Sequence, residues 1–146
     1  MGELKAIWLK RMRGGPMDPV EQAALKAGRG LVGNANQGGK RQVTIINQAI
    51  WADRTAQLGV ELDPAERRAN LMVSGDIDLA DSRGQVLRIG KCRIRIYGET
   101  TPCELMDKAA FGLREMLREN WGGGAFGEIL DDGEIAIGDS VEWAEA

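Results

Sequence analysis

The chain contains no histidine. That absence removes Ser-His-Asp and Cys-His catalysis, which need an imidazole to move the nucleophile's proton. The only two cysteines are Cys92 and Cys103. The usual zinc frameworks, which take about four Cys and His ligands, are therefore excluded as well. Aromatic residues make up 5% of the chain, too few for a row of base-stacking platforms. No apolar run approaches the roughly 20 residues of a membrane span. The start, Met1-Gly2-Glu3-Leu4-Lys5, has neither the basic opening nor the apolar centre of a secretory signal. A cytoplasmic location is the expectation, and in a reducing compartment a Cys92–Cys103 disulfide is disfavoured.

What is present reads as an ordinary globular domain. Apolar residues are 43% and charged residues 28%, the common soluble profile. A chain of 146 residues is expected to form one domain, residues 1–146, burying roughly 70% of the surface its unfolded state exposes. It needs no disulfide or structural metal to fold. The net charge of −3 is unevenly spread: residues 1–98 carry 16 Lys/Arg against 10 Asp/Glu, and residues 99–146 carry 3 against 12. A basic two-thirds in an acidic protein suggests a local anion site. The competing reading is a mixed, solvated surface.

Along the chain, Glu3 to Lys10 reads as a strand with Leu4, Ala6 and Trp8 on one side. Gly14-Gly15-Pro16 breaks it. Asp18-Pro19-Val20-Glu21 has the form of a helix start, with Asp18 as cap and Pro19 at the first position. That predicts a helix through Ala23, Ala24 and Leu25, ended by Gly28. The stretch from Gly30 to Gly39 is too glycine-rich for regular structure. Arg41 to Ile46 is β-branched and strand-like. Asn47 can cap a helix reaching Leu58 and stopping at Gly59. Asp63-Pro64-Ala65-Glu66 starts a short helical turn at Arg67 and Arg68, and Leu71-Met72-Val73 is a short strand. Val86 to Ile89 and Cys92 to Tyr97 form two strands around Gly90-Lys91. From Pro102 to Leu117 the apolar spacing is helical. Phe126 to Leu130 and Glu134 to Ile137 flank Asp131-Asp132-Gly133, a hairpin signal, and Val141 to Trp143 is a last strand. Short strands without a strand–helix rhythm predict a mainly β, α+β, barrel-like domain with packed helices.

Cys103 is the leading candidate for chemistry. It lies in Thr101-Pro102-Cys103-Glu104-Leu105, where Pro102 holds the residue before it extended and leaves the thiol at a helix start. Unpaired N–H groups and the helix dipole favour a thiolate there. The alternative is a buried structural thiol. Cys92, on the apolar face of a strand, reads as core. Arg41 follows the glycine-rich loop, and Arg67 and Arg68 sit beside Asn70 at a capped turn. Guanidinium forks with a closely approaching backbone suit a phosphate or similar oxyanion. Arg93 and Arg95 read as a solvated strand face. The loop does not end in Gly-Lys-Ser/Thr, so it is no Walker loop. A strand follows rather than precedes it, so it is no dinucleotide fingerprint.

In order, the chain carries Gly30-Leu31-Val32-Gly33-Asn34, Arg41-Gln42-Val43-Thr44-Ile45-Ile46 and Arg67-Arg68-Ala69-Asn70-Leu71-Met72-Val73-Ser74-Gly75. Leu87-Arg88-Ile89-Gly90, Thr101-Pro102-Cys103 and Gly133-Glu134-Ile135-Ala136-Ile137-Gly138-Asp139 follow. Together these stretches resemble the MOSC domain, named for the C-terminal domain of molybdenum cofactor sulfurases, in one of its small stand-alone forms. The resemblance implies a single β-barrel domain with a pocket for the molybdenum cofactor (molybdopterin). It implies that Cys103 ligates molybdenum or carries sulfur as a persulfide. It also implies that Arg41 and Arg68 line the pocket, with Asn70 and Ser74 supporting that wall; Arg67 and Asn34 join them as candidate cofactor-binding residues. The family usually has Gly-Asp where this chain has Gly33-Asn34; asparagine keeps the hydrogen bonding and loses the charge.

Three functions are carried forward. The first is a molybdenum cofactor-binding terminal component of a reductase for N-hydroxylated compounds, a small-molecule substrate, with electrons from a partner electron-transfer protein. The second is a sulfur carrier, with a Cys103 persulfide supplied by a sulfurtransferase partner for metal–sulfur centre assembly. The third is a non-catalytic nucleic-acid-binding barrel using Arg88, Arg93 and Arg95. The acidic net charge and scarce aromatics argue against this last one.

Overall fold

A computed structural model gives the structure of residues 1–144. In chain order the elements are β1 (Gly2–Lys10), β2 (Met17–Val20), β3 (Gln22–Lys26), β4 (Gly30–Leu31), β5 (Val43–Asn47) and α1 (Gln48–Leu58). After a 3₁₀ turn at Pro64–Arg67 come β6 (Leu71–Val73), β7 (Val86–Ile89), β8 (Cys92–Glu99), α2 (Glu104–Ala109) and α3 (Leu113–Met116). A second 3₁₀ turn, Glu119–Trp121, leads to β9 (Ala125–Ile129), β10 (Gly133–Ala136) and β11 (Ser140–Trp143).

Seven strands pair in a ring in the order β1-β6-β5-β9-β8-β7-β11, and β11 returns to β1 through Gly2 opposite Val141. This is a closed barrel with packed helices, mainly β as expected. Alternate positions of its strands fill the interior: Ile45, Leu71, Leu87, Ile94, Ile96 and Val141 are fully buried. A barrel of this strand number is just wide enough to be packed solid by side chains. Among the described residues, the one parallel pairing is β5 with β6. Parallel neighbours need a crossover, and α1 with the following turn supplies it. Asn47 caps α1, its Oδ1 accepting from Ala49 and Ile50 N–H. Trp51 on α1 packs with Met106, Leu113 and Leu117 into a smaller core outside the barrel.

Four local expectations are corrected. The helix predicted from Asp18 to Gly28 is instead two strands. β2 pairs with β1, Pro19 opposite Trp8, and β3 pairs with β10. β2 is the terminal strand of its sheet, and an edge tolerates a proline because its missing N–H leaves no ladder bond unmade. Ala23 and Leu25 are buried, with Gln22 and Lys26 exposed and Ala24 half-buried between them, so the two-residue period prevails over the cap-like motif. In β1, the register shifts between Leu4 and Ala6. Leu4, Ile7 and Leu9 therefore face the main core, and Trp8 faces a second cluster with Ile46 and Met72. An extra residue inverts the parity of everything beyond it.

The helix predicted from Pro102 to Leu117 breaks in two at Gly112, whose φ of 92° suits glycine. Asp107 Oδ1 accepts from Gly112 and Arg114 N–H across the break. Finally, Asp131-Asp132-Gly133 makes no hairpin, because β9 stays in the barrel while β10 joins β3 in a separate three-stranded sheet. Asp132 accepts from Ala27 N–H and Asp131 accepts from Arg93, so both side chains are held by other elements.

Cys92 is buried at 1% exposure, and a Cβ on Gly133 would come within 2.8 Å of its Sγ. Burial pushes its thiol pKa up, with Asp131 and Asp139 adding to the effect. Cys92→Ala is expected to cost about 1 kcal/mol of stability by loss of a small buried group. A urea midpoint comparison at matched m-value checks this, and an unchanged midpoint would contradict the core assignment.

Candidate functional site

Outside the barrel wall, the end of β1, the glycine-rich loop, the 3₁₀ turn and the start of α2 surround a cavity of about 170 Å³. Its walls hold Lys10, Asn34, Arg41, Arg67, Arg68, Asn70, Thr100 and Cys103, with Met106 and Leu105 beside the thiol. Six expected site residues besides the thiol are thus Arg41, Arg67, Arg68, Asn70, Asn34 and Ser74, and the first five share this cavity with Cys103. Ser74 does not. It lies beyond the far end of β6, with Met1, Gly2 and Gly138, and Glu3 N–H donates to its Oγ. Three residues of strand separate Asn70 from Ser74, which carries the serine away from the pocket.

Cys103 occupies the N-cap position of α2 in extended geometry, and its side chain makes no capping bond. It is exposed, whereas Met106, one turn on, is buried. The buried-thiol alternative is thereby excluded for Cys103.

The two neighbouring arginines diverge. Arg67, 7% exposed, runs inward: Nε donates to Gly123 O and Nη2 to Thr100 O, each at 2.9 Å. Arg68 is the left-handed residue after the turn, at φ 63°, and its Nη2 donates to Gly15 O at 2.6 Å. Burial is the main influence lowering the Arg67 pKa; the nearby Cys103 opposes it, and Arg41 adds to it. Lys10 is likewise lowered, first by burial and then by Arg68, Arg13 and Arg41. Arg41 is exposed and stands over the Phe126 ring, 4.9 Å from its centre, a cation–π distance.

Asn70 clips the wall together. Its Oδ1 accepts from Thr44 N–H, and its Nδ2 donates to Trp8 O and to Asn34 Oδ1. It thereby joins β5, β1 and the glycine-rich loop, and it is 5% exposed.

The donor set favours an anion. Among the described residues, none of Lys10, Arg41, Arg67 or Arg68 has a carboxylate within ion-pair distance, and no Asp or Glu lines the cavity. Thr100 Oγ1 is buried there without a hydrogen-bond partner. Uncompensated cations in a partly enclosed cavity cost free energy, and an oxygen-rich anion relieves that cost. Larger hollows of about 560 and 590 Å³ lie elsewhere and contain no cysteine.

Lys10 and Thr100 escaped the sequence reading. Thr100 adjoins the Thr101-Pro102-Cys103 motif, and that adjacency was the available signal. Lys10 looked like the solvated end of a strand, and only its pairing brings it to the loop. Arg88, Arg93 and Arg95 are each matched to a carboxylate: Glu142 at 3.9 Å, Asp131 at 2.9 Å and Glu128 at 4.0 Å. The basic face that motivated a nucleic-acid reading is charge-compensated.

A family model for the MOSC domain matches residues 13–142. The chain belongs to the MOSC domain family. No curated protein matches it in sequence. Among solved structures, the MOSC chain resembles the YuaD protein from Bacillus subtilis, with TM-score 0.82 and 17% identity over 97% of this chain and 94% of that one. It also resembles YiiM from Escherichia coli, with TM-score 0.72 and 14% identity over 99% of this chain and 70% of that one. YiiM from Geobacillus stearothermophilus gives 0.74 and 14%, over 99% and 76%. At these identities the likeness is one of fold. No helix among the described residues is long and apolar enough to cross a membrane.

Proposed function

We propose that this MOSC domain binds the molybdenum cofactor in the cavity beside α2, with Cys103 as metal ligand, and serves as the terminal component of a reductase for N-hydroxylated compounds. The observation that carries the reading is a cavity with four cationic side chains, no carboxylate and one exposed thiol. Arg41, Arg68 and Lys10 would hold the anionic and oxygen-rich parts of the cofactor. Arg67 and Asn70 are spent on the protein, and they would keep the wall in place. A thiolate is a soft ligand suited to a transition metal. Two-electron redox chemistry comes from the cofactor when it is bound. Electrons would come from a separate electron-transfer protein.

At about 170 Å³ the cavity is smaller than the roughly 300 Å³ at which ligand pockets usually begin. A cofactor-sized ligand would therefore extend past Leu105, which is 46% exposed, and would leave the substrate side open.

The exposure of Cys103 also favours the sulfur-carrier reading, because a persulfide must be reachable by its donor and acceptor proteins. One preparation separates the two. Protein made in a host that synthesises the cofactor is expected to contain molybdenum and pterin near equimolar with chain. Metal analysis and pterin fluorescence measure this. Intact protein that repeatedly lacks both, yet releases sulfide on reduction, would replace the reductase reading with the carrier.

A further inference from the structure

A hollow of about 560 Å³ lies between α1 and the segment that follows it, lined by Ala52, Ala56, Val60 and Leu62, with Trp51 among them. Trp51 Nε1 donates to Leu62 O at 3.0 Å, which ties the two sides together. The hollow shares no lining residue with the cavity of Cys103.

Phe111 is 93% exposed, more than any other large apolar side chain among the described residues. It sits in the break between α2 and α3, and that break is held by Asp107 Oδ1, which accepts from Gly112 and Arg114 N–H. The ring is therefore displayed from a fixed backbone, which lowers the ordering cost of using it in a contact. Gly112 packs against the end of α1, where a Cβ would come within 3.0 Å of Leu58 Cδ1. Leu58 leads directly into Gly59 and Val60 of the hollow. Ring and hollow thus belong to one continuous face.

The charges on this face match in sign. Around the ring, Asp107 is committed to the break and Glu115 pairs with Arg118. Lys108 and Arg114, three residues to either side of Phe111, have no carboxylate within ion-pair distance among the described residues. Around the hollow, Asp53 pairs with Arg54, while Glu61, Asp63 and Glu66 have no cation within that distance. α1 also ends here with no basic residue in its last turn, so the negative end of its dipole is uncompensated. An aromatic flanked by free cations and an apolar hollow flanked by free carboxylates complement each other, and one chain carries both.

We propose that this face is a dimer interface, in which Phe111 of each copy inserts into the α1 hollow of the other. A two-fold axis makes such a contact self-complementary: each ring meets a hollow, and each pair of cations meets the opposite carboxylates. A buried aromatic anchor ringed by charges is the usual form of an interface hot spot. Cys103 caps the start of α2 whereas Phe111 follows its end, so the pairing is independent of the cofactor reading.

The test is sedimentation equilibrium of the full chain from low micromolar to high micromolar concentration. Wild type is expected to dimerise. Phe111→Ala should raise the dissociation constant by at least about 10-fold, because both copies lose the anchor. Its fold should survive, since the ring is almost wholly exposed. Ala56→Arg fills the hollow from an exposed helix position with a good helix former and should weaken the dimer by at least about 10-fold as well. An equal mixture of the two variants retains one intact ring and one intact hollow, and it should associate more tightly than either alone. Lys108→Glu should weaken the dimer by about 5-fold through like-charge repulsion. Ile137→Ala, at an exposed apolar side chain beyond β10, should dimerise as wild type. A wild-type chain that stays monomeric throughout overturns the proposal and leaves the face to a partner of another sequence. A dimer indifferent to both Phe111→Ala and Ala56→Arg overturns it by placing the interface elsewhere. A mixture no tighter than its components contradicts insertion of ring into hollow, and an unchanged Lys108→Glu dimer contradicts the charge match on which the choice of a second copy rests.

Discussion

Cys103→Ser is expected to strip molybdenum from protein made in a cofactor-competent host while leaving it folded. The thiol is exposed, caps α2 without a side-chain bond and lies outside the buried clusters. A hydroxyl therefore disturbs nothing in the core, and the change in unfolding free energy should stay within about 0.5 kcal/mol. Metal retention behaves differently, because serine offers a hard, protonated oxygen where a soft thiolate is wanted. The molybdenum content per chain should fall by more than about 10-fold, since even mutations outside the ligand shell reach that loss. Elemental analysis beside a urea midpoint reads both quantities. Equal molybdenum in variant and wild type would remove Cys103 from the metal site.

The second large effect is expected at Arg67. Arg67→Met keeps much of the volume and deletes the guanidinium. Gly123 O and Thr100 O then lose their partners inside a buried region. Each unmade buried acceptor costs about 1–3 kcal/mol. Removing a cation that has no carboxylate partner recovers part of that. The net loss should be about 2–4 kcal/mol, visible as a lower denaturant midpoint. The same two carbonyls connect the segment before Cys103 to the segment before β9, so cofactor retention should fall with stability. Arg68→Met, one residue on, gives up one hydrogen bond at a half-buried position and should cost about 1 kcal/mol. Equal costs at Arg67 and Arg68 would contradict the structural role given to Arg67.

These two arginines also show how much was legible in the chain. Both were expected in the pocket, and both line it. Sequence spacing could not say that Arg67 is spent on two carbonyls while Arg68 reaches Gly15. That division depends on the left-handed backbone at Arg68 and on where residues 100 and 123 arrive from elsewhere in the chain. The misreading of residues 18–28 has the same origin. Asp18-Pro19-Val20-Glu21 is a sound helix start in isolation, but β1 and β10 offer strand partners that only the folded barrel brings close. Ser74 belongs to a recognisable stretch and still faces away from the cavity, because β6 moves it to the other end of the strand.

Local chemistry was readable because its causes are local. The Asn47 cap, the Asp63-Pro64 turn, the break before Cys103 and the alternation of β8 each depend on residues within a few positions. The absence of histidine and the Thr101-Pro102-Cys103 motif singled out the thiol before any fold was known. Closure of seven strands, the parity change in β1 and the meeting of Lys10, Asn34 and Thr100 depend on pairings between distant segments. Such contacts are decided by which faces can be buried together. The chain by itself thus singled out the candidate thiol and determined the class of fold. Tertiary structure alone decided that this group opens onto a cavity of cations without a carboxylate, because charges spread from residue 10 to residue 68 become neighbours only when the barrel closes.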